Sequence, residues 1–278
     1  MSTYCELKNF INSVACDEKG TIGKTESGRD IPYIFFGRKD VAPIIVQCAI
    51  HAREFITSRL AMEQAAELSG REIKGGVYFI PMLNIDGVKL AESGLKFVKD
   101  RNKRNFLLGI NGGSPDFSQF KANVNGVDLN VNFDCDFGQG RNNVYSPAPE
   151  NYVGEKPFSE SCTRALRDFT LRVKPAVTLS YHTKGEEIYW FYQKKGAEFC
   201  GDKKLAKLIS RETGYPLKKT PGSTGGYKDW CIAELKIPAF TVEVGNDAFE
   251  HPLGAEALPD ILKRNKNTVK ALIGEIYG

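Results

Sequence analysis

The sequence predicts an α/β protein built on a central, mostly parallel sheet with helices on both faces. Two observations carry this expectation. Short apolar runs rich in β-branched and aromatic residues alternate with stretches of helical spacing, the sequence mark of strand–helix–strand units. Four of the runs are short and predominantly apolar, as strands buried on both faces are. A chain of 278 residues, 41% hydrophobic and 26% charged, is also long enough for one sizeable core. A single domain over residues 1–278 is expected.

The elements follow in order. PIIVQCAI (43–50) is the first buried strand, and the spacing over 57–68 makes a helix. GVYFIPML (76–83) is the next strand. In GVDLNVNFD (126–134), Val127, Leu129, Val131 and Phe133 alternate with Asp128, Asn130, Asn132 and Asp134, the period-2 pattern of a strand with one apolar face. Its polar face meets either water or a ligand. A helix over 159–173 opens on a cap-like Ser159-Glu160 pair, and AVTLSYH (176–182) is a third buried strand. A helix over 203–213 stops at Gly214, AFTVEVG (239–245) is the last strand, and a helix covers 258–276.

Composition excludes some classes. The net charge of +4 comes from 38 basic and 34 acidic residues scattered along the chain, so no nucleic-acid partner is called for. No stretch approaches the ~18 apolar residues of a membrane span, and the first residues lack the pattern of a secretory signal. The seven cysteines are irregularly spaced with no CxxC pair, which favours a reducing cytoplasm.

Three predicted strands end in chemistry. The first runs into His51-Ala52-Arg53-Glu54, placing an imidazole and a carboxylate three residues apart. The third ends in His182. Together they make a two-histidine, one-glutamate set, which suits zinc with a coordination position left for water, one ion per chain. Glu243 sits in an otherwise apolar strand, where a carboxylate costs several kcal/mol unless paired or protonated. It is either half of a buried ion pair or a functional base beside the metal.

HARE (51–54), GVDLN (126–130), His182, Gly-Gly-Tyr (225–227) and TVEVG (241–245), in that order over nearly the whole chain, resemble the zinc carboxypeptidases of the carboxypeptidase A superfamily. The segment from Ile22 to Ile31 is similar to the start of that catalytic domain. The resemblance implies a mixed eight-stranded sheet and zinc on His51, Glu54 and His182. It implies Glu243 as general base, Asp128 as the carboxylate holding the first zinc histidine, and Arg53 and Asn130 as substrate-binding residues. Tyr227 matches a mobile tyrosine that closes over substrate, and Lys121 takes the place of an arginine that polarises the scissile carbonyl. Asp128 and Asn130 then turn the polar face of 126–134 into the site.

One departure is larger. Val131 stands where carboxypeptidases have an arginine gripping the substrate's terminal carboxylate, and Arg141 and Lys184 are the candidate replacements. HTKGEEIYW (182–190) and GGYKDW (225–230) resemble the bacterial branch that includes peptidases of the γ-D-glutamyl–diaminopimelate bond. The resemblance therefore implies a zinc metallopeptidase cutting an amide bond of cell-wall-type peptides with metal-activated water. An ordinary metallocarboxypeptidase or a small-molecule amidase is the alternative, and a non-catalytic binding protein is a third class.

Overall fold

The computed structural model describes residues 2–194, 197–200, 203–219 and 222–278, with side chains left out at 193, 194 and 197–200. Its centre is an eight-stranded mixed sheet. In chain order the strands are β1 (Glu18–Lys24), β2 (Asp30–Gly37), β3 (Ile44–Cys48), β4 (Gly76–Ile80), β5 (Val177–His182), β6 (Glu187–Tyr189), β7 (Phe191–Lys194), β8 (Ala197–Cys200), β9 (Leu217–Lys218) and β10 (Ala239–Glu243). The sheet order is β1-β2-β4-β3-β5-β10-β6-β9, and β7 and β8 form a separate hairpin. The middle four, β4, β3, β5 and β10, run parallel, while β1, β2 and β6 are antiparallel to their neighbours on the way out.

These four middle strands are the apolar runs of the sequence, and every residue of β3, β4 and β5 is buried. Alternate side chains feed two cores. On one face Ile44, Val46, Phe79, Leu179 and Val242 pack under the helices Ile56–Leu68, Lys203–Thr213 and Leu258–Asn265. On the other, Ile45, Tyr78 and Ile80 pack under Ser161–Val173 and the turn around Trp230. At ~25 cal/mol per Å² of apolar surface, each of these large side chains contributes roughly 1.5–3 kcal/mol of burial. No helix among the described residues is long and apolar enough to cross a membrane.

Two expectations are corrected. Residues 126–134 are not a strand. Gly126 turns the chain at φ 72°, and Asp128 then caps a 3-10 turn over Leu129–Val131. Asn123 Oδ1 accepts the N–H groups of Asn125 and Val127 at 3.0 Å, and Asp128 Oδ1 accepts that of Asn130 at 3.0 Å. Side chains thus satisfy the donors that a sheet ladder would use. The helix expected over 258–276 is broken into Leu258–Asn265 and Thr268–Tyr277. There Gln64 Nε2 takes the Asn265 carbonyl at 2.8 Å, so that oxygen is bound from outside the helix.

Candidate metal centre

The site stands at the carboxyl ends of three adjacent parallel strands, where ligands bind in open α/β sheets. β3 and β5 pair from Ile44↔Val177 to Cys48↔Tyr181, and β10 pairs with β5 so that Glu243 lies beside His182. Leaving β3, the chain turns at Ala49 (φ 49°) and enters a 3-10 turn over Ala52–Glu54, with His51 at its N-cap. That turn brings His51 and Glu54 round to one point. Thr57 fixes it, donating to the Glu54 carbonyl at 2.7 Å and accepting the Ala49 N–H at 3.0 Å.

His51, Glu54 and His182 form a buried cluster with one donor atom from each within 4.8 Å of the others. His51 Nδ1 lies 2.8 Å from Glu54 Oε1 and 3.1 Å from His182 Nδ1, which is 3.2 Å from Glu54 Oε2. Zinc–nitrogen and zinc–oxygen bonds of about 2.0–2.2 Å set tetrahedral edges of about 3.3–3.6 Å. The donors fit that spacing with a small expansion. Burial alone would raise the Glu54 carboxyl, but the two imidazoles hold it well below the usual carboxylate range. Two nitrogen lone pairs and an ionised carboxylate aimed at one point are a ligand set for a divalent cation.

Behind His51 stands Asp128, fully buried. Its Oδ1 is 3.2 Å from His51 Nε2 and accepts the Asn130 N–H, while Oδ2 is 2.9 Å from Lys121 Nζ and accepts the Asn151 N–H at 3.2 Å. Burial opposes the charge of Asp128, yet Lys121 and His51 keep its pKa well below the usual range. Burial likewise lowers the Lys121 ammonium, and Asp128 more than offsets it. Lys121 keeps 18% of its side chain exposed, on the wall of the cleft.

Glu243 differs from the other acids. It is half-buried, and among the described residues its carboxylate has no hydrogen-bond or ion-pair partner. Burial pushes its pKa up to about 8, with His182 pulling down and Glu54 pushing further up.

The cleft has a volume of about 460 Å³ and is lined by His51, Lys121, Asn130, Val131, Arg141 and Tyr189, among others. A slightly larger groove, about 520 Å³ between Tyr33 and Phe169, lies elsewhere and touches none of these groups. Asn130 borders the cleft while its Oδ1 accepts the Tyr227 N–H at 3.1 Å.

Arg53 turns aside, donating to the Gln119 carbonyl at 2.9 Å and to Glu150 at 3.2 Å. Lys184 is likewise taken up, donating to the Asp247 carbonyl at 2.8 Å. The expectation for Tyr227 is corrected. Its ring is 1% exposed against Phe133 and Trp230, and its hydroxyl bonds Thr170 Oγ1 at 2.8 Å. It starts a helix at Gly226, and that start turns the side chain into the core. Tyr189 is the tyrosine that borders the cleft. Sequence reading also passed over His251, whose Nδ1 lies 3.4 Å from Thr183 Oγ1. Being the one histidine left after the two strand-end ones was its signal.

Fold and donor set together define a metalloenzyme-type site on an α/β sheet, with three candidate ligands gathered at parallel strand ends and an uncommitted carboxylate beside them. The chain belongs to the zinc carboxypeptidase family, whose pattern matches residues 16–268. It is 31% identical over 249 residues to gamma-D-glutamyl-L-diamino acid endopeptidase 1 of Lysinibacillus sphaericus, covering 84% of this chain and 61% of that protein. It is 34% identical over 139 residues to murein peptide amidase A of Escherichia coli, covering 47% of this chain and 54% of that one. The chain thus spans between about half and three fifths of the length of these curated relatives. Its fold matches bovine thrombin-activatable fibrinolysis inhibitor with a TM-score of 0.74 at 20% identity, over 99% of this chain and 96% of that one.

Proposed function

We propose that residues 1–278 form one catalytic domain, a zinc metallopeptidase that hydrolyses the amide bond between a γ-linked D-glutamyl residue and a diamino acid in cell-wall-type peptides. The observation that carries the chemistry is the free carboxylate of Glu243 next to the buried His51–Glu54–His182 donors. The likeness to the Lysinibacillus endopeptidase supports the substrate class.

His51, Glu54 and His182 would hold one zinc. When bound, zinc acts as a Lewis acid that polarises a carbonyl and makes water acidic enough to attack near neutral pH. Glu243 takes a proton from the attacking water and returns it to the leaving nitrogen. Burial raises its pKa and a bound cation would lower it again, and the balance of the two leaves a base that can both accept and release a proton. Asp128, with Oδ1 3.2 Å from His51 Nε2, would accept that N–H when the ring turns to a metal, fixing the tautomer that leaves the Nδ1 lone pair for the ion. Lys121 presents positive charge where the carbonyl oxygen becomes an anion, as a point charge without a guanidinium's fork. Asn130, held through Oδ1, keeps its side-chain nitrogen for substrate. Arg53 is an outer substrate contact that must first exchange Glu150. Six described cysteines carry free thiols, four of them buried, which suits a cytoplasmic setting.

The test is hydrolysis of L-Ala-γ-D-Glu-diaminopimelate, followed as released amine, with and without a chelator. Loss of activity on chelation and recovery with zinc are expected. Release of C-terminal residues from ordinary α-linked peptides, with the γ-linked peptide left intact, would replace this reading by that of an ordinary metallocarboxypeptidase. Val131 speaks against the latter, because valine cannot bind a terminal carboxylate.

A further inference from the structure

The cleft carries positive charge that its own acids do not neutralise. Lys121 is matched by Asp128, Arg53 by Glu150, and Lys184 by Asp247. Arg141 is exposed, lines the same cavity as His51 and Lys121, and its guanidinium has no partner among the described residues. On the same wall Lys219 lies over the Phe191 ring, 4.6 Å away, with no acidic partner among the described residues. Asn143, also on this wall, buries its side-chain nitrogen with no acceptor. A concave wall of unmatched donors and cations attracts an anion.

The loop that carries Arg141 is fixed at several points. The Arg141 N–H donates to the Gly222 carbonyl at 2.9 Å. Thr224 Oγ1 donates to the Asp136 carbonyl at 3.0 Å, and the Tyr192 hydroxyl donates to Asp136 Oδ2 at 2.5 Å. Gly222, at φ 85°, leaves room for the guanidinium to lie along its backbone. A Cβ there would stand 3.3 Å from Arg141 Nε and 3.4 Å from Nη2. A loop whose backbone is fixed before binding loses less freedom when its ligand arrives.

We propose that Arg141 binds a free carboxylate of the substrate and makes that group a condition of tight binding. Paired guanidinium N–H groups match the two oxygens of a carboxylate. The proposal rests on the γ-D-glutamyl reading above and sharpens it. A γ-linked glutamate keeps its α-carboxylate free on the acyl side of the scissile bond, and the diamino acid brings its own carboxylates on the amine side. Val131 offers no charge for either. The shared chemistry is a carboxylate, and its source is separated by experiment.

Three peptides serve as probes: L-Ala-γ-D-Glu-diaminopimelate, the same peptide amidated at the glutamyl α-carboxylate, and the same peptide amidated on the diaminopimelyl carboxylates. Binding is measured by calorimetry on the zinc-loaded Glu243→Gln protein, alone and combined with Arg141→Ala or Arg141→Lys. Turnover is measured in parallel on the wild-type enzyme and Arg141→Ala. Arg141→Ala should weaken the free peptide about 10- to 100-fold, the range of a charge-assisted hydrogen bond, and Arg141→Lys by less. The peptide amidated at the contacted carboxylate should bind the parent weakly and not respond to Arg141→Ala, which identifies the source. An equal effect on all three peptides, or one below about threefold, overturns the proposal. Wild-type cleavage with an unchanged KM in Arg141→Ala overturns it while the peptidase reading stands. Arg141-dependent binding without wild-type cleavage does the reverse, and no binding of any peptide overturns both.

Discussion

Replacing Asp128 by asparagine should cost zinc affinity through the tautomer of His51. Two donors face each carboxylate oxygen: His51 Nε2 and the Asn130 N–H at Oδ1, Lys121 Nζ and the Asn151 N–H at Oδ2. A carboxamide has one oxygen, so its NH2 must confront one of these pairs. Hydrogen bonds to a charged group are worth roughly 1.5–3 kcal/mol and neutral ones roughly 0.5–1.5, so the oxygen stays on the Lys121 side. The NH2 then faces His51 Nε2, which can only accept from it. A histidine accepting at Nε2 carries its proton on Nδ1, the nitrogen aimed at Glu54 and His182.

Loss of a carboxylate behind a metal histidine typically costs ~10- to 100-fold in metal affinity. With the tautomer inverted as well, the expected loss for Asp128→Asn is the upper end, about 100-fold or roughly 2.7 kcal/mol. Competition with a chelator of known affinity measures it, and nitrogen NMR of the His51 ring reads the tautomer. Lys121→Met in the Asp128→Asn background removes the cation that holds the oxygen, frees it to turn to His51, and should recover part of the lost affinity. Zinc affinity within twofold of wild type in Asp128→Asn, or a further loss in the double variant, would refute the reasoning.

Other outcomes follow from the same geometry. His182→Ala should abolish stoichiometric zinc in metal analysis, because it removes one of three donors. Glu243→Gln should keep zinc but lose ~10²- to 10⁴-fold in kcat, the usual worth of a positioned base. In the metal-free protein, Glu243 titrates near 8 against 4.5 when unexposed to the fold. The folded state therefore holds the proton longer, so stability falls as pH rises from 4.5 to 8, and Glu243→Gln should flatten that slope in urea unfolding. Burial lowers His251 to about 4 from 6.5. There the unfolded state takes up the proton first, so stability is full above 6.5 and is lost as pH falls to 4. His251→Gln should reduce that loss.

The strands that position the candidate metal ligands were legible because parallel strands covered on both faces are predominantly apolar along their length. A histidine at the end of such a run is then conspicuous. The outer strands were not legible. β1 reads Glu-Lys-Gly-Thr-Ile-Gly-Lys and buries only Ile22, so no pattern of burial is written in it. The 126–134 stretch shows a different limit. Its alternation is real, but Leu129 and Phe133 and also Asp128 and Asn132 are buried, because a tight turn inside the protein has no solvent face. Tyr227 shows a third limit. A motif places a residue in a loop, while the direction of its ring depends on where the helix begins and on Phe133 and Trp230, distant or unmarked in the sequence.

Charge ties the centre to the cleft. Glu54, Asp128 and Glu243 bring three carboxylates to the strand ends, and Lys121 is the ammonium set among them. Fully ionised, that group carries an excess of two negative charges; burial first, and the charge of Glu54 after it, raise the pKa of Glu243, the acid without a partner among the described residues. A divalent cation on His51, Glu54 and His182 would cancel the excess and let Glu243 ionise. The centre would then be near neutral, so the unmatched charges of Arg141 and Lys219 dominate the field in the cleft. An incoming anionic group would be drawn toward that wall, and Val131 lines the same cleft without adding charge.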